Sequence, residues 1–210
     1  MTEPGAVRGE RRRVVGDLAS SIRALADAAA ETAVGEDVIS AVTADVRRLA
    51  SLLASERHTG PYSGLHGREL DLSTPAGPLP LSPVIGDCNP SAPDVRLHFE
   101  EGRVRGTAHL TRRHVGPPGA AHGGVGAMIA DQLVAVTPFA FGLTCFTRSM
   151  TVQYRRPVPL ERELVLEAWC HQIADTRARA WCTISVDGEV VLEAEAELAV
   201  MDVARQERAT

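Results

Sequence analysis

Residues 116–131 read Gly116-Pro117-Pro118-Gly119-Ala120-Ala121-His122-Gly123-Gly124-Val125-Gly126-Ala127-Met128-Ile129-Ala130-Asp131. A loop rich in proline and glycine feeds a His-Gly-Gly start into a run that is apolar on every side, and Pro138 ends the pattern after Thr137. A helix that is apolar all round belongs in a core. Asp131 interrupts it about two turns in, and a buried carboxylate is costly unless a Thr, an Arg or a backbone N–H meets it.

On both sides of this helix the hydrophobic period changes to two. Before it, Val95, Leu97 and Phe99 alternate with Arg96, His98 and Glu100. Glu101-Gly102 makes a turn, and Val104, Gly106, Ala108 and Leu110 then alternate with Arg103, Arg105, Thr107 and His109, which predicts a hairpin. After the helix, strands are predicted over 145–155, 163–173, 176–186 and 189–201. The last two are joined by Asp187-Gly188, and Glu189, Glu193, Glu195 and Glu197 point outward. One apolar helix and one antiparallel sheet with a single buried face have a natural solution, in which the sheet curls around the helix. The predicted class is α+β, with this domain over residues 94–203.

Further out, Val14, Val15, Leu18, Ile22, Leu25 and Ala29 recur at helical spacing, and so do Val38, Ile39, Val42, Val46, Leu49, Leu52 and Leu53. Residues 1–57 are therefore expected to be a helical extension that packs on the main domain or across a subunit interface, with a dedicated partner-docking pair as the alternative. Residues 58–93 carry Gly60-Pro61, Pro75, Gly77-Pro78, Pro80, Pro83, Pro90 and Pro93, too many breakers for long regular structure. They form a connector available to lie over a binding cleft.

Composition removes several function classes. A formal charge of −5 and an aromatic content of 4% disfavour nucleic acid as a partner. All 22 basic residues are Arg, so Schiff-base and P-loop lysine chemistry are excluded. Cys88, Cys145, Cys170 and Cys182 include no Cys-x-x-Cys pair and are expected to be reduced, mostly buried thiols. No continuous run of about 18 apolar residues is present, so neither a secretory signal nor a membrane span is expected. The default location is cytoplasmic.

The His-Gly-Gly start suggests chemistry as well as shape. The first turn of a helix has unpaired N–H groups and a partial positive charge, so Gly123 and Gly124 can lie against an oxygen that becomes negative. Asp131 would supply the other half of a hydrolysis, as a general base or a nucleophile. It stands eight residues beyond Gly123, roughly 12 Å along the axis at about 1.5 Å per residue. A reacting carbonyl needs both groups near 3 Å. One copy of the helix cannot serve both ends, so the Gly123 end of one subunit must meet Asp131 of another, most simply in a two-fold dimer. For His122, spacing alone favours a structural hydrogen bond.

Taken together, the motifs of residues 86–201 resemble the hotdog-fold thioesterases, especially the phenylacetate-pathway (PaaI-type) and mitochondrial acyl-CoA thioesterase branch. The resemblance is carried by Asn89-Pro90-Ser91-Ala92-Pro93, Gly116-Pro117-Pro118-Gly119, His122-Gly123-Gly124, Asp131, Thr147 and Tyr154-Arg155-Arg156-Pro157-Val158-Pro159-Leu160, in that order. It implies a hotdog fold, a homodimer or dimer of dimers whose continuous sheet encloses two helices, and hydrolysis of acyl-coenzyme A thioesters without metal or redox cofactor. It also implies that the Gly123 N–H polarises the carbonyl, that Asp131 of the facing subunit is base or nucleophile, that Thr147 positions water or the acid, and that His122 supports the loop. Gly124 and Asn89 are further candidates for substrate contact. Arg155 and Arg156 are candidates for the coenzyme A phosphates, although a solvated strand end is the simpler role for them. A non-catalytic module binding acyl-CoA or an acyl carrier protein is the alternative, and a hydratase of the same fold a weaker one. The Gly-Arg-Lys common between the late strands of the family is replaced by Asp175-Thr176-Arg177, and residues 1–85 lie outside the resemblance.

Overall fold

The computed structural model describes residues 4–58, 65 and 72–201. Helices α1 (Pro4–Glu31) and α2 (Glu36–Ala54) are followed by strands β1 (Asp94–Glu100) and β2 (Arg103–His109), helix α3 (Gly123–Val136), and strands β3 (Cys145–Tyr154), β4 (Glu163–Ala174), β5 (Arg177–Val186) and β6 (Glu189–Val200). The six strands form one antiparallel sheet in the order β1-β2-β4-β5-β6-β3. The sheet wraps α3, which is the hotdog architecture.

Period two explains the wrap. On β5 every second residue from Ala178 to Val186 is buried, and β6 does the same with Leu192, Ala194, Ala196 and Leu198. These residues meet Ile129, Ala130, Leu133, Val134 and Val136 of α3 in one core. Alanines at 168, 178, 180, 194 and 196 leave the depth in which a helix fits. The approach is close enough that a Cβ on Gly126 would lie 2.9 Å from Leu192 Cδ1. The β1–β2 and β5–β6 hairpin turns each hold two residues at positive φ, Glu101-Gly102 and Asp187-Gly188, the backbone twist that matches paired strands.

Strand β3 lies at the sheet edge and, among the described residues, pairs only with β6. Its register slips between Thr147 and Ser149, so Arg148 is the extra residue of a bulge. Thr147 faces inward before the bulge, and Met150 and Val152 face inward after it.

The Pro-rich connector is more than a spacer. Its residues 72–93 fold into successive turns, and Val84 and Ile85 are buried in the domain core. The Ser82 hydroxyl accepts from the Val84 and Ile85 N–H groups and donates to Gln132 of α3. Gly60-Pro61 and the expected domain end at residue 203 lie outside the described residues. Helix α1 docks on the domain through Arg12 to Asp87 (2.8 Å), Arg23 to the Asn89 carbonyl (2.9 Å), Asp27 to Thr111 and Arg113, and the buried Ala19. Helix α2 has no buried residue.

Gly123–Phe141 has the length and mean hydropathy, 1.4, of a membrane-crossing helix. Its apolar character comes from the core side chains that the sheet encloses, so composition alone does not separate the two cases.

Candidate active site

The start of α3 is fixed by two histidines. Buried His114 accepts the Thr111 N–H on Nδ1 (3.0 Å), and its carbonyl accepts the His122 N–H (2.8 Å). Burial, with the neighbouring Arg113 charge, lowers the His114 pKa and favours the neutral ring. His122 is the N-cap of α3, and its Nδ1 accepts the Gly124 N–H at 3.0 Å. The Gly124 N–H is thereby taken up, and the Val125 N–H donates to the His122 carbonyl at 2.9 Å. The Gly123 N–H has no acceptor among the described residues. Of the two glycines, Gly123 is the one whose amide remains available, and His122 has the structural hydrogen bond that its spacing suggested.

Tyr154, at the end of β3, donates its hydroxyl to the Gly123 carbonyl at 3.1 Å. This contact escaped the sequence reading, which used Tyr154 only as part of a motif. The one signal for it was the bulky aromatic that ends a strand predicted to lie beside the helix.

Eight residues further along α3, Asp131 Oδ1 accepts from the Thr147 hydroxyl at 2.8 Å. Here the structure corrects an expectation: Asp131 is exposed in the single chain rather than buried. The sheet covers the side of α3 that carries Ile129, Ala130, Leu133 and Val134, and Asp131 stands on the flank beside the sheet's edge strand β3. Gly124 is also exposed, and Met128 and Ala135 are only half-buried, so an apolar face of the helix is left open.

The remaining candidates lie apart from these contacts. Asn89 donates its amide to the Leu81 carbonyl (2.9 Å) and accepts from the Ser91 N–H and hydroxyl, so its side chain holds the connector together. Arg155 is paired with Glu193, and Arg156 with Glu189, at an exposed strand end. No cysteine offers a nucleophile. The Cys182 thiol lies under α3, 3.7 Å from the Ala130 carbonyl, and burial pushes its pKa up to about 12.

A profile described as the thioesterase-like superfamily matches residues 94–210, a little over half of the chain. The chain belongs to the thioesterase-like superfamily. Human acyl-coenzyme A thioesterase THEM5 is 31% identical over 67 residues, which are 32% of this chain and 27% of THEM5, so the match spans about a quarter of that relative. A solved thioesterase superfamily protein is 28% identical with a TM-score of 0.76, over 89% of this chain and 90% of its own. That alignment is longer than the sheet domain and takes in part of residues 1–85, which the motif resemblance did not reach. The PaaI protein of the phenylacetic acid degradation operon of E. coli is 17% identical over 51% of this chain and 79% of its own, with a TM-score of 0.48. Within this thioesterase-like domain, α3 and β3 hold Gly123 beside Tyr154 at one end and Asp131 beside Thr147 at the other.

Proposed function

We propose that the chain is a cytoplasmic acyl-CoA thioesterase that works as a homodimer. The observation that carries this reading is the pair of half-sites on α3. A Gly123 N–H at the helix start, without an acceptor among the described residues, suits a carbonyl oxygen that gains negative charge. A carboxylate aimed by Thr147 suits the activation of water or direct attack. With Asp131 as base, water adds to the thioester carbonyl carbon while its proton passes to the carboxylate. The C–S bond then breaks, and the leaving thiolate takes that proton. With Asp131 as nucleophile, the carboxylate attacks the carbonyl carbon and the C–S bond breaks to release the thiolate; water then opens the acyl-carboxylate anhydride to the free acid and the Asp131 carboxylate, and the proton set free goes to the thiolate.

The two half-sites lie roughly 12 Å apart along one helix, and both touch the edge strand β3. An open strand edge favours pairing with a second edge. If two β3 strands pair antiparallel about a two-fold axis, their ends are exchanged, and Asp131 of one copy comes beside Gly123 of the other. The same approach would cover the open face of α3. The phosphates of coenzyme A would reach Arg155 and Arg156 only by displacing Glu193 and Glu189.

The test is thiol release from a panel of acyl-CoAs by wild type and Asp131→Asn. Release by wild type and its loss in the variant support the reading. Saturable acyl-CoA binding without release from any donor would favour the non-catalytic module, and full activity of the variant would remove Asp131 from the reaction.

A further inference from the structure

Helix α2 cannot owe its place to its own domain. None of its residues is buried, yet Ile39, Val42, Val46, Leu49 and Leu53 follow one another at intervals of three and four. This is a heptad seam, and Val38 and Leu52 widen it. Their exposure runs from 40% at Val46 to 64% at Leu52. In proteins most of a helix's stability comes from packing its apolar face, and α2, 19 residues long, buries none of that face in its own chain.

The neighbouring helix repeats the pattern. Leu18, Ile22 and Leu25 of α1 follow the same three-four spacing and are also exposed. They point away from the side of α1 that carries Arg12, Ala19, Arg23 and Asp27, the side docked on the domain. Each chain thus offers two helices with an uncovered stripe, joined by the short segment 32–35.

We propose that these stripes are the contact surface for the same helices of a second copy, which together make a four-helix bundle. Three features select that occupant. A stripe widened beyond the two seam positions suits a bundle core better than a two-stranded coil. The exposed apolar side chains of α1 and α2 amount to roughly 800 Å² per chain, about one partner's share of a standard interface. Charge chooses the direction: α2 begins with Glu36 and Asp37, and its second half is net basic, with Arg47 and Arg48 against Asp45, which pairs with Arg48. An antiparallel approach about a two-fold axis brings the acidic start of one α2 to within about one turn of Arg47 and Arg48 of the other, and a parallel one sets like against like. With Ile39 of one α2 against Leu49 of the other, Val42 falls against Val46. This interface is separate from the edge-strand pairing proposed above and stands if that one fails.

The test is the solution mass of the full chain, wild type against Val46→Glu/Leu49→Glu, by sedimentation or light scattering. Because α2 buries nothing in its own domain, the variant is expected to keep the fluorescence of the stacked Trp169–Trp181 pair in the sheet. Its mass is expected to fall to half. As a second readout, Val42→Cys/Val46→Cys treated with a short bismaleimide is expected to give a covalent dimer that wild type does not give. An unchanged mass, a monomeric wild type or the absence of cross-linking overturns the proposal. So does an unchanged mass accompanied by wild-type binding to phosphatidylglycerol vesicles that the charged variant loses, which would assign the stripe to a lipid surface.

Discussion

The hydroxyl of Thr147 on edge strand β3 donates to Asp131 Oδ1 on helix α3 at 2.8 Å. The strand that closes the sheet therefore also orients the acid, and the bulge at Arg148 is what lets it do so while Met150 and Val152 remain turned toward the helix. Thr147→Val removes the donor and keeps the shape. A hydrogen bond to a charged group is worth about 1.5–3 kcal/mol, so kcat is expected to fall by roughly 10- to 100-fold with little change in KM. Loss of general acid–base action typically costs about 10²–10⁴ in rate, and Asp131→Asn is expected to lie in that range. Steady-state thiol release measures both.

Gly123→Ala separates chemistry from stability. A Cβ at this position would meet the Tyr154 ring at 3.4 Å, an ordinary contact that the helix start can hold. The methyl would nevertheless crowd the approach of a carbonyl to the Gly123 N–H. Activity is expected to fall at least 10-fold while Tm changes by no more than a few degrees. Tyr154→Phe, which removes a donor to the Gly123 carbonyl, is expected to cost about 0.5–1.5 kcal/mol of stability.

Gly106→Ala is expected to do the opposite. Its Cβ would lie 1.9 Å from the Arg96 carbonyl of β1, so the β1–β2 pair must open. The expected loss is about 1–3 kcal/mol in denaturant unfolding, with the activity of the remaining folded protein intact.

Buried His114 predicts acid sensitivity. Its folded pKa is lowered by burial and by Arg113, whereas the unfolded ring titrates near its ordinary value of about 6.5. Above that value both states are neutral and the full stability is present. As pH falls below it, the unfolded chain takes up a proton that the folded chain does not, and stability is lost until the folded pKa is passed. Tm measured between pH 8 and pH 5 is expected to fall on the acid side, and a His114→Gln variant is expected to show a flatter profile in this window.

Burial likewise raises the thiols, to about 11 for Cys88, Cys145 and Cys170 and about 12 for Cys182, with Asp87 adding to the shift at Cys88. At pH 8 the native chain is expected to react with a colorimetric disulfide reagent far more slowly than the unfolded chain, which exposes four thiols.

The periodicities of the chain were enough to determine its elements and their assembly. Period two and period 3.6 are local properties, and the predicted strand over 189–201 and observed Glu189–Val200 differ by one residue. One apolar helix and one single-faced antiparallel sheet leave few ways to pack. Helix rise alone separated Gly123 from Asp131. What the sequence could not supply was orientation. A helix apolar on all sides has no stripe to say which face the sheet will cover, so the exposure of Asp131 and the open face beside it emerged only when strands far apart in sequence closed around the other side. For the same reason tertiary structure decided that His122 takes the Gly124 N–H and leaves that of Gly123, that Tyr154 reaches the Gly123 carbonyl, and that the amide of Asn89 turns into the connector. Each of these depends on the direction of a side chain, between segments for Tyr154 and within one segment for His122 and Asn89, and hydrophobic spacing does not encode it.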